Sequence, residues 1–142
     1  MLRVARTTAL PSGIENLRAE AERDGVRNMT LLAEEWLCGA QRFNALGEAL
    51  FAACEDDVLL GVGGVTIQCG ARAMRMRRLY VLADRRRCGV GRMLAGAMIE
   101  KGFESADLLT CNARATPAAA KFWEAMGFIP VDATGWTHQC AR

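Results

Sequence analysis

The chain has 142 residues, of which 51% are hydrophobic and 24% charged, and its formal net charge is +2. These values exclude a disordered or collagen-like chain and are typical of a globular protein. The longest apolar run, Val58 to Ile67, is too short to span a bilayer, and the N-terminus has no apolar stretch of signal-peptide length, which predicts a cytoplasmic location away from membranes. Because domains most often have about 100 to 150 residues, we expect one domain over residues 1–142.

The first third of the chain predicts one strand and two helices. Leu2 to Thr7 is typical of a short strand. The spacing from Ser12 to Glu15 is that of a capping box, which predicts a helix that stops at Gly25. A second helix follows, with Asn28 as a candidate cap. Its buried stripe is predicted from helical spacing at Met29, Leu32, Ala33, Trp36 and Leu37.

The middle of the chain predicts three strands. Ala49 to Cys54 and Val58 to Gln68 are apolar runs that predict an antiparallel hairpin. Met74 to Val81 predicts a third strand, with Arg75 and Arg77 on one face and methionines on the other. Glycines in the second strand indicate a bulge or a place where another backbone or a ligand comes close. They are Gly61, Gly63 and Gly64.

The last third predicts a helix, a strand and a second helix before the chain closes. Helical spacing begins at Val90 and is predicted to end at a C-cap, Gly102. Ala106 to Asn112 predicts a short buried strand. Thr116 followed by Pro117 predicts the start of the last helix.

One or two strands close the chain near residues 128–131 and 136–140. The element order predicts an α/β fold, a mixed sheet of six to seven strands with about four helices on its faces.

The cysteines and the single histidine argue against a metal site. No two cysteines form a C-x-x-C pair, and His138 is the only imidazole, so we expect no zinc. We expect the thiols to be reduced and mostly buried, because free cysteine behaves as a small hydrophobe. The cysteines lie at positions 38, 54, 69, 88, 111 and 140.

The positive charge is concentrated in one stretch. From Arg72 to Arg92 the chain has eight arginines and one acid, Asp84, a net charge of +7 that leaves −5 for the other 121 residues. Guanidinium groups suit phosphate oxygens, and clustered like charges are destabilising unless an anion offsets them. The stretch therefore indicates an anionic ligand, with a solvated basic strand face as the alternative.

The segment from Arg86 to Arg92 joins a strand to a helix and predicts a phosphate-binding turn. Two glycines, Gly89 and Gly91, allow close approach of the backbone. The N-terminus of the following helix adds free N–H groups and partial positive charge. The segment lacks the third glycine of a dinucleotide fingerprint and the Gly-Lys-Ser/Thr of a P-loop, which disfavours both of those classes.

Two motifs resemble those of the GNAT superfamily of acyl-CoA-dependent N-acyltransferases. Arg86-x-x-Gly89-x-Gly91, preceded by Leu79-Tyr80-Val81, is similar to the family's Q/R-x-x-G-x-G/A pyrophosphate loop at the end of its fourth strand. Asn112 and the block from Ala119 to Phe128 are similar to the family's Asn and its A-x-x-F-Y-x-x-x-G-F block. Together these motifs cover roughly a third of the chain.

The resemblance implies a groove between two splayed central strands, with acetyl-CoA as the co-substrate inside it. A primary amine of a small molecule or of a protein would enter between the first two helices and the later strands, and would attack the thioester directly. The resemblance also leaves a homodimer open. The implied cofactor contacts are Leu79, Tyr80, Val81, Arg86, Arg87, Gly89, Val90, Gly91, Arg92 and Asn112.

One residue departs from the family pattern. Trp123 stands where the family often places a tyrosine as general acid for the leaving thiolate. An indole N–H does not release a proton usefully, but a thiol with a pKa of about 8.5 leaves without help. Acid assistance is worth about 10²- to 10⁴-fold. Two interpretations stay open: a transferase without the acid, or an acyl-CoA-binding or sensor protein with little activity.

The sequence does not identify a general base. Glu34 and Glu35 are weak candidates on the helix that borders the expected acceptor cleft, and the alternative is that they form its solvated face. His138 would serve only if the last strand folds over the cleft. Tyr80 is expected in the core, and proton transfer to solvent would need no residue at all.

A nucleic-acid surface is the remaining interpretation of the arginine stretch. Tyr80 is its only aromatic residue, so it offers no interleaved stacking platform, and it leads into a turn of defined spacing. We therefore expect no nucleic-acid partner.

Overall fold

The computed structural model describes all 142 residues and contains seven strands and four helices. The strands are Leu2–Thr7 (β1), Ala49–Glu55 (β2), Val58–Ile67 (β3), Met74–Val81 (β4), Leu108–Cys111 (β5), Ile129–Ala133 (β6) and Trp136–Ala141 (β7). The helices are Ile14–Arg23 (α1), Asn28–Cys38 (α2), Val90–Ser105 (α3) and Pro117–Ala125 (α4). None of these helices is both long and apolar enough to cross a membrane.

All seven strands join one sheet in the order β1-β2-β3-β4-β5-β7-β6. Neighbouring strands are antiparallel except β4 and β5, which are parallel. The pairing of β4 with β5 begins with Met74 opposite Leu109 and ends with Met76 opposite Cys111. Beyond that point β4 continues to Val81 with no partner on this side, so the two strands separate. The mixed sheet and its splayed central strands confirm the predicted fold.

The helices cover the two faces of the sheet in pairs. Met98 of α3 and Trp123 of α4 share one buried cluster with Met76 of β4. Leu17 of α1 and Leu32 of α2 belong to a second buried cluster. The sheet therefore has an α3/α4 face and an α1/α2 face, and each contributes its own part of the core.

A bulge in β4 decides where its arginines point. Arg78 and Leu79 together lie opposite the single residue Gly63 of β3. Arg78 has a φ of 58°, in the left-handed region that a non-glycine residue rarely adopts. Arg77 points away from the α3/α4 face because side chains alternate along a strand, and the bulge turns Arg78 the same way, toward Glu35 of α2.

The glycines of β3 make room for neighbours from both sides of the sheet. A Cβ on Gly63 would lie 2.6 Å from the Sδ atom of Met98, and one on Gly64 would collide with the ring of Phe43. A Cβ on Gly61 would lie 2.8 Å from a backbone oxygen of β4. The predicted bulge and close approach of another backbone are confirmed, and the tightest neighbours at two of these positions are core side chains.

The first two helices begin differently from the prediction. Gly13 occupies the N-cap of α1 with a φ of 92°, and no side chain caps the helix, so the Ser12 capping box is wrong. The left-handed turn at Gly13 places that glycine, and not Ser12, at the cap position. Asn28 is the first residue of α2, and its side-chain amide donates to the Leu79 carbonyl at 3.0 Å instead of capping the helix.

Of the two later helices, the first ends at a different residue from the predicted one, and the second begins where it was predicted to begin. α3 continues past Gly102 to Ser105, so the predicted C-cap is wrong. Gly102 is needed for packing, since a Cβ there would lie 2.6 Å from Cδ2 of Leu109. Thr116 is the N-cap of α4, as predicted, and its Oγ1 accepts a hydrogen bond from the Ala119 N–H at 3.1 Å.

The six cysteines are free thiols, and only Cys111 is buried. Cys38, Cys69 and Cys88 are exposed, so the expectation that most thiols are buried is wrong. The exposed ones lie at a helix end and in turns, where the chain runs over the surface.

Candidate functional site

A groove of about 290 Å³ lies where β4 and β5 separate. Its lining comes from the strands, from α2 on one face of the sheet and from α4 on the other, so the groove passes between the two faces. This is the opening that the parting of the strands creates. The lining residues are Asn28, Arg75, Met76, Arg77, Arg78, Leu79, Cys111, Asn112, Ala115, Ala119 and Trp123.

Three of the residues singled out from the sequence meet in this groove. Leu79 of β4, Asn112 just after β5 and Trp123 of α4 all line it. Trp123 is almost fully buried, and its ring makes edge-on contacts with Phe122 and Phe128 at centroid distances of 5.2 and 5.1 Å. This packing holds the indole at the groove wall. The indole N–H has no hydrogen-bond partner within the protein.

The turn between β4 and α3 presents unused N–H groups. Gly89 is the N-cap of α3 with a φ of 84°, and no side chain caps the helix. The first backbone N–H of the helix to find an acceptor is that of Met93, which donates to the Gly89 carbonyl at 3.0 Å. The N–H groups of Val90, Gly91 and Arg92 therefore have no acceptor in the protein. Such an end attracts anions through its free donors and its partial positive charge.

The two positions of the turn that hold glycine favour this residue for different structural reasons. A Cβ on Gly89 would meet nothing within 4 Å, so only its left-handed backbone favours glycine. A Cβ on Gly91 would lie 3.3 Å from Cε1 of Phe122, so this glycine also lets α4 pack closely. Between them, Val90 is buried and anchors the start of the helix in the core.

The arginines of the turn differ in their partners. Arg87 and Arg92 are exposed and form no ion pair. The Nε of Arg86 donates to the Val81 carbonyl at 3.0 Å, and its guanidinium lies 5.3 Å from the centre of the Tyr80 ring. Arg86 thus turns toward the α1/α2 face, whereas Arg87 and Arg92 stay free for an anion.

Tyr80 holds the β4 end of this turn in place. Its hydroxyl donates to Oε2 of Glu20 at 2.6 Å, and the Ala83 N–H donates to the same oxygen at 3.0 Å. Burial and the Glu20 carboxylate both raise the pKa of Tyr80, so its hydroxyl stays protonated. Burial alone would raise the pKa of Glu20, but these hydrogen bonds and the charge of Arg86 lower it overall. Tyr80 is a core residue, as expected.

None of the candidate bases lines the groove. Glu34 is exposed on α2, and Glu35 is held 3.0 Å from a guanidinium nitrogen of Arg78. His138 is buried on β7, with its Nε2 2.8 Å from Oε2 of Glu124. The groove wall therefore contains no carboxylate and no imidazole.

Two features of the groove were missed from the sequence. Cys111 reaches it from the end of β5, and burial raises the pKa of this thiol to about 12, so it is neutral. Arg75, Arg77 and Arg78 line it as well, although the sequence shows them only as part of a basic stretch. The charge count indicated the arginines, but no sequence signal places β5 beside the first residues of β4.

Comparison with known proteins identifies the family. Residues 17–140 match the family model of the acetyltransferase (GNAT) domain. None of the curated proteins compared with this chain matches it in sequence.

Solved structures share the whole fold. A protein from Exiguobacterium sp. 255-15, assigned as an acetyltransferase, is 25% identical with a TM-score of 0.89 over 99% of this chain and 93% of that one. PaiA N-acetyltransferase from Thermoplasma acidophilum, solved in complex with coenzyme A, is 15% identical with a TM-score of 0.66 over 100% and 99%. An acetyltransferase from Streptococcus agalactiae 2603 is 9% identical with a TM-score of 0.78 over 99% and 98%. The central strands of the sheet separate where the two motifs lie. Because the family model also spans most of the chain, this protein belongs to the GNAT acetyltransferases and is an acyltransferase.

Proposed function

We propose that this enzyme transfers an acetyl group from acetyl-CoA to a primary amine. The observation that carries the proposal is the turn from Arg86 to Arg92, which follows the end of β4 that β5 leaves unpaired and has N–H groups without acceptors. No carboxylate of the protein accepts a hydrogen bond from these N–H groups, and the one carboxylate paired with an arginine of the turn is Asp24, 4.0 Å from a guanidinium nitrogen of Arg86. The Thermoplasma relative, solved with coenzyme A, supports the same cofactor class for this chain.

The cofactor contacts follow from the positions of the turn and the strand. The diphosphate binds the exposed guanidinium groups of Arg87 and Arg92 and the free N–H groups that begin with Gly89. Arg86 contacts the diphosphate through its backbone only, since its side chain packs against the Tyr80 ring. The pantetheine arm and the acetyl group extend along β4 and contact the backbone of Leu79, Tyr80 and Val81. The backbone N–H groups of Val90 and Gly91 complete the diphosphate cradle, and Asn112 meets the cofactor from the end of β5.

The transfer itself needs little from side chains. The amine nitrogen attacks the thioester carbonyl carbon and the C–N bond forms. The attacking nitrogen then loses one proton to solvent, and the C–S bond breaks as the tetrahedral intermediate collapses to the amide. The thiolate leaves with its electron pair and is protonated by solvent, while the indole N–H of Trp123 donates a hydrogen bond to it. Because no carboxylate or imidazole lines the groove, the acceptor enters as the free amine and has lost its proton to solvent beforehand.

The pH dependence of turnover tests this assignment of the proton. The rate constant kcat/KM should rise with pH and level off near the pKa of the acceptor's own amine. With two acceptors whose amine pKa values differ by about two units, the inflection should move by about the same amount. Glu35→Gln should leave the profile unchanged. An inflection that stays at one pH for both amines would reveal a base in the protein.

Binding of acetyl-CoA tests the cofactor site. Saturation at about a hundred times Kd adds about 2.7 kcal/mol to stability, which for this chain length raises Tm by about 5 to 10 °C. Gly89→Asp should abolish the shift, because a carboxylate in the cradle repels the diphosphate. The fold should persist, since the position is open and aspartate tolerates the left-handed region.

The matched control is Gly96→Asp, which adds the same charge on an open, exposed position of α3 away from the turn. This variant should keep the full shift. ADP and NAD should produce smaller shifts than acetyl-CoA in the unmodified protein. An unchanged acetyl-CoA shift in Gly89→Asp would refute the assigned cofactor site.

Trp123 favours a second candidate, an acyl-CoA sensor with little turnover, because the usual acid is missing. The sensor and the enzyme bind the cofactor alike. Release of free thiol in the presence of a panel of amines separates them: steady release identifies the transferase, and binding without release identifies the sensor.

A further inference from the structure

Three arginines of β4 share the groove with the proposed acetyl group. Arg75, Arg77 and Arg78, here called the arginine cluster, all line it. Because the intervening methionines pack toward α3, the cluster lies on the α1/α2 face of the sheet. Along the strand, Arg77 precedes Val81 by about 10 Å, because the bulge places these residues opposite Gly64 and Gly61, which are three residues apart on β3.

The positive charge of the cluster is only partly neutralised. Glu35 is the one carboxylate paired with it, at 3.0 Å from Arg78. Arg75 and Arg77 form no ion pair. Burial lowers the pKa of both guanidinium groups, and the nearby charge of Arg78 lowers it further. Arginine nevertheless stays protonated at neutral pH, so the groove holds at least two uncompensated positive charges.

Polar atoms in the groove also lack hydrogen-bond partners. Nε of Arg75 and Nε of Arg78 are buried donors without an acceptor. Oδ1 of Asn28 is a buried acceptor without a donor, because this side chain uses its amide nitrogen to bind Leu79. Buried polar groups are normally satisfied, and leaving them unpaired costs free energy. The groove therefore has unused donors for an anion and an unused acceptor for an N–H group.

The cofactor does not account for these groups. Its diphosphate binds the turn after Val81, and the helix that begins there covers the other face of the sheet. One diphosphate does not span the roughly 10 Å back to Arg77, and the 3′-phosphate of coenzyme A belongs to the adenosine, on the far side of the diphosphate from the pantetheine arm. The pantetheine arm and the acetyl group between these points carry no charge. The anion that suits the cluster must therefore come from the acceptor.

We propose that the acceptor is a primary amine that itself carries an anionic group, a carboxylate or a phosphate, bound by Arg75 and Arg77. Oδ1 of Asn28 accepts a hydrogen bond from the attacking amine. This inference rests on the proposed function and names the substrate class for it.

The test compares pairs of amines that differ in charge. β-Alanine is paired with its amide, and phosphoethanolamine with ethanolamine, so that the two pairs separate carboxylate from phosphate recognition. The enzyme should acetylate at least one anionic member with kcat/KM at least tenfold above its neutral partner. Equal use of the neutral and anionic members of both pairs would overturn the inference.

Arg77→Gln removes one charge from the cluster. For the preferred anionic amine, kcat/KM should fall about ten- to a hundredfold, as expected for loss of a hydrogen bond between charged groups. The value for the neutral partner should change less than twofold, and the acetyl-CoA thermal shift should remain. Arg77→Lys should recover part of the loss because it keeps the charge. Tm should stay or rise, since repulsion within the cluster decreases.

The control is Arg72→Gln, which removes the same charge from an exposed position before β4 and should leave every value unchanged. Arg75→Gln is the second test variant and should repeat the selective loss if Arg77→Gln does not fold. Equal losses for neutral and anionic amines would overturn the inference while the proposed function stands. Failure to acetylate any amine would refute the proposed function, and the inference with it.

Discussion

Trp123 is the residue in which the site departs most from its family. It lines the groove, and its ring is held between Phe122 and Phe128. An indole donates a hydrogen bond but does not transfer a proton, so in the mechanism that we propose the thiolate leaves as an anion. The turnover rate should therefore depend on the acidity of the side chain at position 123.

Trp123→Tyr should raise kcat by at least tenfold, because a phenol supplies the acid that is worth about 10²- to 10⁴-fold where it acts. Trp123→Phe is the matched control, since it shortens the side chain without adding an acid, and it should not exceed the unmodified enzyme. Thiol release under saturating acetyl-CoA measures both variants. Equal rates for the two would show that proton transfer to the thiolate does not limit turnover.

Two glycines of α3 show how one residue type acts differently within a single element. Gly96 is exposed and a Cβ there would meet nothing within 4 Å. Gly102 is buried, and a Cβ there would press on Leu109 at 2.6 Å and on the Cε atom of Met76 at 3.2 Å. The second position therefore sets how closely the helix approaches β4 and β5, the strands that form the groove.

Gly96→Ala should stabilise the protein by up to about 1 kcal/mol, because alanine favours the helix. Gly102→Ala should destabilise it by about 1 kcal/mol, because crowding of about 1 to 3 kcal/mol exceeds the same helical gain. Urea denaturation followed by circular dichroism measures both. The opposite signs are the informative result, and stabilisation by both variants would show that Leu109 moves aside without cost.

At the scale of the whole molecule, the fold divides the basic stretch between two places. Arg87 and Arg92 lie at the turn before α3, whereas Arg75 and Arg77 lie in the groove on the α1/α2 face. Glu20 of α1 joins the end of β4 to the segment that follows it, since it accepts hydrogen bonds from the Tyr80 hydroxyl and from the Ala83 N–H. The α1/α2 helix pair is thus tied to the start of the turn to which we assign the cofactor.

The sequence by itself determined what depends on near neighbours along the chain. Alternation over two residues predicted Met74 to Val81 as a strand, a hydroxyl followed by proline predicted the start of α4 at Thr116, and the spacing of Gly89 and Gly91 indicated the phosphate turn and the family. Each of these signals is contained within a few residues, so it is readable without the fold. Gly102 was misread because a packing contact overrode a local preference, and Ser12 because the left-handed turn at Gly13 places that glycine at the cap.

Only the tertiary structure decided where the groove lies and what lines it. β5 pairs with just the first three residues of β4, and the bulge at Arg78 turns a third arginine toward Glu35. Both features depend on contacts between segments that are distant along the chain, with Leu109 35 residues after its partner Met74 and Arg78 43 residues after Glu35, and packing of the buried faces sets the strand register. Composition therefore revealed the surplus of arginine, while the joint geometry of β4, β5 and α2 placed three arginines in the groove on its α1/α2 side.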